Sequence, residues 1–122
     1  MDKLNHYRDV VQTVLSDYVK MRSGPSHYSQ LELQTLFDVN HDHYQLVHVG
    51  WQNNGLRESE GHRRIYGPLF HLDIKNEKVW LQLNTTDDDI TQDLVRLGIP
   101  KEDIVLGFQD PYMRQFTEFA VG

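Results

Sequence analysis

The sequence has no cysteine, only four prolines and no long apolar run. The lack of cysteine excludes disulfides, thiolate zinc sites and cysteine nucleophiles within these 122 residues. The opening Met-Asp-Lys-Leu-Asn-His has no basic stretch followed by an apolar core. We therefore expect no secretory signal, no membrane span and a cytoplasmic location. The length and the 39% hydrophobic fraction predict one globular domain over residues 1–122.

Positive charge is scarce, because 12 Lys and Arg stand against 18 Asp and Glu for a formal charge of −6. This balance argues against direct nucleic-acid binding, since affinity for DNA comes largely from neutralising phosphates. A local basic patch of Arg57, Arg63 and Arg64 is diluted by Glu58 and Glu60. Direct DNA binding is therefore the weaker hypothesis.

Apolar residues first recur at helical spacing and then at strand spacing. An amphipathic helix ending before residues 23–26 is predicted by Leu4, Tyr7, Val11, Val14, Tyr18 and Met21. Alternation then predicts strands over residues 31–39, 44–51, 64–75 and 78–84. Asn76-Glu77 is short enough for a two-residue hairpin, and Pro68 indicates an edge, a bulge or a delayed strand start.

The C-terminal third predicts two further helices. Thr85-Thr86-Asp87-Asp88-Asp89 is typical of a helix start, followed by apolar Ile90, Leu94 and Leu97 and an end at Gly98. A metal site at the three aspartates is the weaker alternative. Residues 104–108 form a strand or a buried turn, and a last helix from Pro111 should turn Tyr112, Phe116 and Phe119 inward. The predicted fold is thus α+β: an antiparallel meander of about four strands with one N-terminal and two C-terminal helices.

Seven histidines raise the question of a metal. The closest pair lies in His41-Asp42-His43, a segment that also has turn chemistry, and the sequence names no third ligand. We therefore interpret the segment as a solvated turn and expect neither a bound metal nor a cofactor.

A second histidine pattern suggests acid–base chemistry. His48 and His71 both lie opposite the more apolar side of their strands, which would place them on one polar sheet face with Asp73 and Gln82. The same pattern is typical of an ordinary solvent-facing sheet. Because every strong enzymatic motif is absent, we expect no enzyme activity, and a small enzyme or ligand binder using His48, His71 and Asp73 remains an alternative.

Trp80 faces away from Val79, Leu81 and Leu83 and so belongs to whichever sheet face the main core leaves uncovered. An exposed tryptophan there indicates an interface. The alternative, that a helix or a loop covers Trp80, has equal weight.

The residues from His71 onward resemble a known family. The resemblance rests on Lys-Val-Trp-Leu-Gln at 78–82, Gly-Ile-Pro-Lys-Glu-Asp-Ile-Val-Leu at 98–106, and Thr-Glu-Phe-Ala at 117–120. The N-terminal half fits through Tyr7, Phe37-Asp38, Tyr44-Gln45-Leu46 and Val49-Gly50-Trp51. The chain resembles the XisI-like family of fdxN-element excision controlling factors, found in filamentous photosynthetic bacteria with nitrogen-fixing cells. Glu77 and Asn84 depart from the family pattern, both at turns.

The resemblance implies an accessory role in programmed site-specific DNA excision, with no catalytic residues of the chain's own. It implies binding to a XisH-type partner, so that a separate serine recombinase acts on the right element. Candidate partner-binding residues are Trp80, Gln82, Lys101, Glu102, Asp103 and Arg114. A direct DNA-binding directionality factor is the alternative function. A homodimer is a further expectation, because a short meander leaves open edges.

Overall fold

The computed structural model describes residues 2–22, 29–55 and 57–122. Helix α1 (Lys3–Arg22) precedes strands β1 (Ser29–Asp38), β2 (His43–Asn53), β3 (His62–Lys75) and β4 (Lys78–Asn84). Helix α2 (Thr91–Arg96) and strand β5 (Ile104–Leu106) follow. Short 3-10 helices lie at Glu58–Glu60, Lys101–Asp103 and Met113–Phe116. The described residues include no helix with the length and apolar character needed to cross a membrane.

The five strands form one sheet in the order β1-β2-β3-β4-β5. The first four strands pair as an antiparallel meander, and β5 pairs parallel to β4. The predicted α+β meander is confirmed in outline. Two details were imprecise: the sheet has five strands, and the C-terminal part has one short α-helix and a 3-10 turn where two helices were expected.

The turns explain the strand register. Asn76 and Glu77 have φ of 53° and 60°, so both adopt the left-handed conformation that a two-residue hairpin with matching strand twist requires. This confirms the predicted hairpin between β3 and β4. The strand pairing is interrupted by two bulges. One lies between β2 and β3 at Leu46 and Val47, opposite Pro68, and the other lies between β3 and β4 at His71 and Leu72. The bulge alternative for Pro68 is therefore the one that the structure adopts.

Helix α1 packs on one face of the sheet and forms the main core with it. Five of its residues are buried: Tyr7, Val10, Val11, Val14 and Leu15. They pack in one core with buried side chains of β2, β3, β4, α2 and β5. The helix ends at Arg22, directly before residues 23–26, which lie outside the described residues. Met21, predicted on the apolar stripe, is instead 80% exposed and lies outside the core, in the last turn of the helix where Arg22 forms an ion pair with Asp88.

Helix α2 begins at Thr91, later than predicted, and its N-cap residue Ile90 makes no side-chain cap hydrogen bond, so the predicted threonine cap is wrong. The Asp89 carboxylate instead accepts a hydrogen bond from the Thr91 amide at 3.0 Å. Gly98 has φ of 110° and follows the helix, as predicted.

The last segment differs from the prediction. Phe119 packs against the core, but Tyr112 and Phe116 are 67% and 65% exposed and stack edge to face on each other. The Arg114 guanidinium donates to the carbonyls of Gly107 and Gln109, which ties this segment to the end of β5 and turns the two rings outward. The predicted inward-facing helix is therefore wrong.

We expect Leu46→Ala to lower the free energy of unfolding by about 2–5 kcal/mol, because Leu46 is fully buried in the main core. Leu36→Ala is the matched control on the neighbouring strand, where the side chain is 49% exposed, and should cost under about 1 kcal/mol. Urea unfolding followed by circular dichroism measures both. Equal losses would contradict the one-sided core.

Candidate functional site

The sheet face opposite α1, here called the open face, carries aligned rows of side chains. Cross-strand partners point to the same side of a sheet. Pairing places Asp38, His43, Asp73 and Trp80 in one row, and Leu36, Gln45, His71 and Leu83 in the next. Polar and titratable groups from three strands therefore meet on the side that the main core does not use.

A cluster of His43, His71 and Asp73 lies at the centre of these rows. His43 Nδ1 is 2.7 Å and His71 Nε2 is 2.8 Å from the same carboxylate oxygen, Asp73 Oδ1. His43 is the cross-strand partner of Asp73, and His71 lies two residues before Asp73 on β3. The strand register alone brings the three groups together.

Two glutamines hold the cluster in place. The Gln82 amide donates to Asp73 Oδ2 at 3.1 Å, and the Gln45 amide nitrogen lies 2.8 Å from His71 Nδ1. With Gln45 donating to Nδ1, His71 carries its proton on Nε2 and donates it to Asp73. Both oxygens of Asp73 are thus engaged.

The charges of the cluster follow from these contacts. Burial works to raise the pKa of Asp73, but hydrogen bonds from His43 and His71 outweigh burial and hold the pKa below its ordinary value. The hydrogen bond between His43 and Asp73 also raises the pKa of His43. The carboxylate is ionised at neutral pH and flanked by two imidazoles, an arrangement that can hold a proton or a metal ion.

An open groove runs from this cluster to the outer strand. Besides His43, Gln45 and His71, it is lined by Thr35, Leu36, Phe37 and Asp38. Asp38 is itself engaged, since its carboxylate receives the His41 amide and lies 2.9 Å from His41 Nδ1. The groove gives the cluster access to solvent beside an apolar side chain, Leu36.

Comparison with known proteins assigns the chain to a family. The family model described as XisI protein matches residues 1–121. The chain belongs to the XisI family. It is similar to the crystal structure of a XisI-like protein from Anabaena variabilis ATCC 29413, with 37% identity, a TM-score of 0.80, and 99% of this chain and 100% of that chain covered.

A second XisI-family structure is also similar: the fdxN element excision controlling factor XisI from Anabaena variabilis ATCC 29413. Its identity is 30% and its TM-score 0.76, over 99% of this chain and 100% of that one. The comparison with curated proteins gave no match. The resemblance read from the C-terminal residues is thereby confirmed.

Trp80 does not present its ring to solvent in this XisI-family chain. It is on the open face, as expected, but only 8% exposed. Its indole donates to the Lys75 carbonyl, the Lys75 ammonium lies 4.1 Å and the Arg114 guanidinium 5.3 Å from its ring, and the C-terminal Gly122 passes close by. Of the two alternatives for Trp80, cover by another part of the chain is therefore the one that the structure adopts, and an exposed tryptophan at an interface is not.

Gln82 and Arg114 also make internal contacts. Gln82 holds Asp73, and Arg114 donates to the carbonyls of Gly107 and Gln109. Lys101, Glu102 and Asp103 form a separate 3-10 turn near the start of α1. The six predicted partner-binding residues thus do not form one surface, although Glu102 and Lys101 are exposed at that turn.

Asp103 is a structural contact between that turn and α1. It accepts a hydrogen bond from the Tyr7 hydroxyl and lies 3.0 Å from the Lys3 ammonium. Lys101 pairs with Glu118 at 2.9 Å. Neither contact was visible in the sequence, because both join residues that are distant along the chain.

The other histidines and aspartates among the described residues lie outside the cluster. His48 pairs with Leu33, on the face that α1 covers, so the prediction that it shares a face with His71 is wrong. On β2, Tyr44 and Leu46 face the main core, so His48, two residues further along the strand, lies on their side of the sheet. Of the three aspartates at 87–89, Asp88 forms an ion pair with Arg22, and the Asp89 carboxylate accepts a hydrogen bond from the Thr91 amide.

The sequence alone did not identify His43 as a member of the cluster or Gln45 as a residue that holds it. His43 was assigned to a solvated turn with His41, yet their rings diverge: His41 contacts Asp38 and His43 contacts Asp73. The register of β2 and β3 could have identified His43. Once the apolar Tyr44 is paired with Leu72, the neighbouring His43 falls opposite Asp73.

Asp103→Asn should lower the free energy of unfolding by about 1–2 kcal/mol at neutral pH, because it removes a charged hydrogen-bond acceptor and an ion pair. Burial acts to raise the pKa of Asp103, but Tyr7 and Lys3 outweigh it and hold the pKa below its ordinary value. A depressed carboxyl pKa stabilises the fold above the unfolded pKa and loses that contribution as pH falls through the folded pKa.

The difference between wild type and Asp103→Asn should therefore shrink below about pH 4. Denaturant titrations from pH 3 to 7 measure it, and Glu102→Gln, at the exposed neighbour, is the control, with a change within about 0.5 kcal/mol. A difference that does not depend on pH would exclude this account of Asp103.

Proposed function

We propose that this chain is an accessory controlling factor for programmed excision of a DNA element, and that it acts in the cytoplasm by binding a XisH-type protein. The support for excision control is membership of the XisI family and similarity to a relative described as an fdxN element excision controlling factor. The role needs no catalysis by this chain, in keeping with the lack of strong enzymatic motifs in its sequence. A serine recombinase would be reached only indirectly, through the partner.

The open face is the surface that we assign to the partner. Pairing puts Glu32, Val49 and Tyr66 in one row beyond the histidine cluster, and Trp51 with Arg64 in the next. Tyr66 is 76% exposed, and Trp51 is 45% exposed with Arg64 packed over its ring. Exposed aromatic and arginine side chains are typical of binding hot spots.

The outer edge of β1 adds a second means of attachment. Among the described strands β1 pairs only with β2, and its ten residues leave one side of the ladder unpaired. Leu31 and Leu36 are exposed along this strand. An edge of this kind accepts a strand from another chain through main-chain hydrogen bonds.

Net charge gives the partner's expected character. A formal charge of −6 complements a basic surface, which a protein that handles DNA carries. Such complementarity raises the rate of association at low ionic strength and weakens with salt.

Mixing the purified chain with a XisH-type protein tests the proposal. We expect a defined heteromeric mass by light scattering during size exclusion, with binding that weakens as salt is added. Two unshifted peaks at low ionic strength would overturn the proposal. The chain run alone reports its own oligomeric state, and a twofold mass would show the homodimer.

Trp51→Ala combined with Tyr66→Ala should weaken association with the XisH-type protein by at least about tenfold, because it removes the two most exposed large rings of the open face. Tyr112→Ala is the control, a tyrosine of similar exposure on the C-terminal segment, 67% against 76% for Tyr66. Titration calorimetry measures the affinities. Equal effects of the two changes would move the interface away from the open face.

Direct DNA binding is the second candidate function. Arg63 and Arg64 are consecutive near the start of β3 and so point to opposite faces of the sheet, Arg64 toward Trp51 and Arg63 toward Gln52. The chain as a whole is acidic. A gel shift that persists above physiological salt would favour this candidate over the partner-binding role.

A further inference from the structure

We propose that His43, His71 and Asp73 form a binding site for a divalent transition-metal ion of the Zn²⁺ class. The proposal is independent of partner binding. It departs from the sequence-based expectation of no metal, because the ligands that join His43 lie about thirty residues away on another strand.

The ligand atoms already converge. One nitrogen of each imidazole and one oxygen of the carboxylate lie within 4.8 Å of one another. His43 and Asp73 are directly paired across β2 and β3, and His71 shares the face of Asp73. A sheet ladder fixes the three Cα positions, so the site needs little ordering when an ion arrives.

The donor types fit the ion. Two imidazoles and one carboxylate form a ligand set that zinc uses when it keeps a further position open. Among divalent ions of the first transition row, such nitrogen-rich sites favour Cu²⁺ and Zn²⁺ over Mn²⁺, and they suit Mg²⁺ and Ca²⁺ poorly. The groove along Leu36 and Asp38 leaves the remaining position accessible.

The surrounding residues support the ligands as outer-shell groups do in metal sites. Gln82 donates to Asp73 Oδ2, which directs Oδ1 toward both imidazoles. If His71 binds the ion through Nε2, the imidazole carries its proton on Nδ1, and the Gln45 side-chain oxygen accepts a hydrogen bond from that N–H once the amide has turned over. Outer-shell partners of this type fix the orientation of a metal-bound histidine.

The ion would replace two hydrogen bonds. Nitrogen and oxygen ligands of a tetrahedral zinc ion lie about 3.3 Å from one another. In this structure His43 Nδ1 and His71 Nε2 lie closer than that to Asp73 Oδ1, at 2.7 and 2.8 Å. The cluster must therefore open by about half an ångström. His43 has the freedom to do so, because its side chain is 56% exposed and lies at the beginning of β2.

Titration calorimetry of untagged, chelator-treated protein with zinc chloride tests the proposal. We expect one zinc ion per chain, with affinity reduced at least about tenfold by His71→Ala and by His43→Ala. Gln45→Ala leaves the three ligands in place and should also weaken binding, by about tenfold. Circular dichroism confirms that each variant is folded.

His62→Ala is the matched control, because this exposed histidine lies at the opposite end of β3. Its zinc affinity should equal that of the wild type. Cobalt supplies an independent readout: Co²⁺ bound at the cluster gives visible absorption bands that disappear in Asp73→Asn. Zinc binding that persists in the His43 and His71 variants, a loss in His62→Ala equal to theirs, or no binding up to about millimolar zinc would each overturn the proposal.

Discussion

The packing of α1 against a single face of the sheet is the constraint on which the other features depend. The buried side chains of the helix meet the inward residues of the strands, and this contact supplies most of the apolar core. Because one helix covers one face, the alternate residues of every strand are left on the other side. That remaining face is where the histidine cluster, the exposed rings and the groove all occur.

A second, smaller layer completes the structure at one end of the open face. Val105 and Trp80 are buried there but lie outside the main core, and the segment after β5 crosses over them through Arg114 and the C-terminal residues. The sheet is therefore covered on both sides at β4 and on one side at β1 to β3. This difference separates a structural tryptophan, Trp80, from an accessible one, Trp51.

Local patterns predicted much of the fold. Strand alternation gave β4 at its observed limits, and the length of the Asn76-Glu77 turn gave the hairpin. Errors arose where contacts among several elements determine which way a side chain faces. In β2 both strand faces carry apolar residues, so alternation alone does not show which face meets the helix. Tyr112 and Phe116 are turned outward by the contacts of Arg114 with the chain after β5, which no local pattern contains.

The two borders of the sheet are unequal. Beyond β5, the amide of Ala120 donates to the Ile104 carbonyl and Ala120 bridges Val105, so the C-terminal segment occupies that border. The outer side of β1 has no such cover among the described strands. Growth of the sheet by strand addition can therefore proceed in one direction only. Two copies that pair through their β1 edges would form a closed dimer. A longer polymer of sheets could not form in this way, because neither copy has a second free edge.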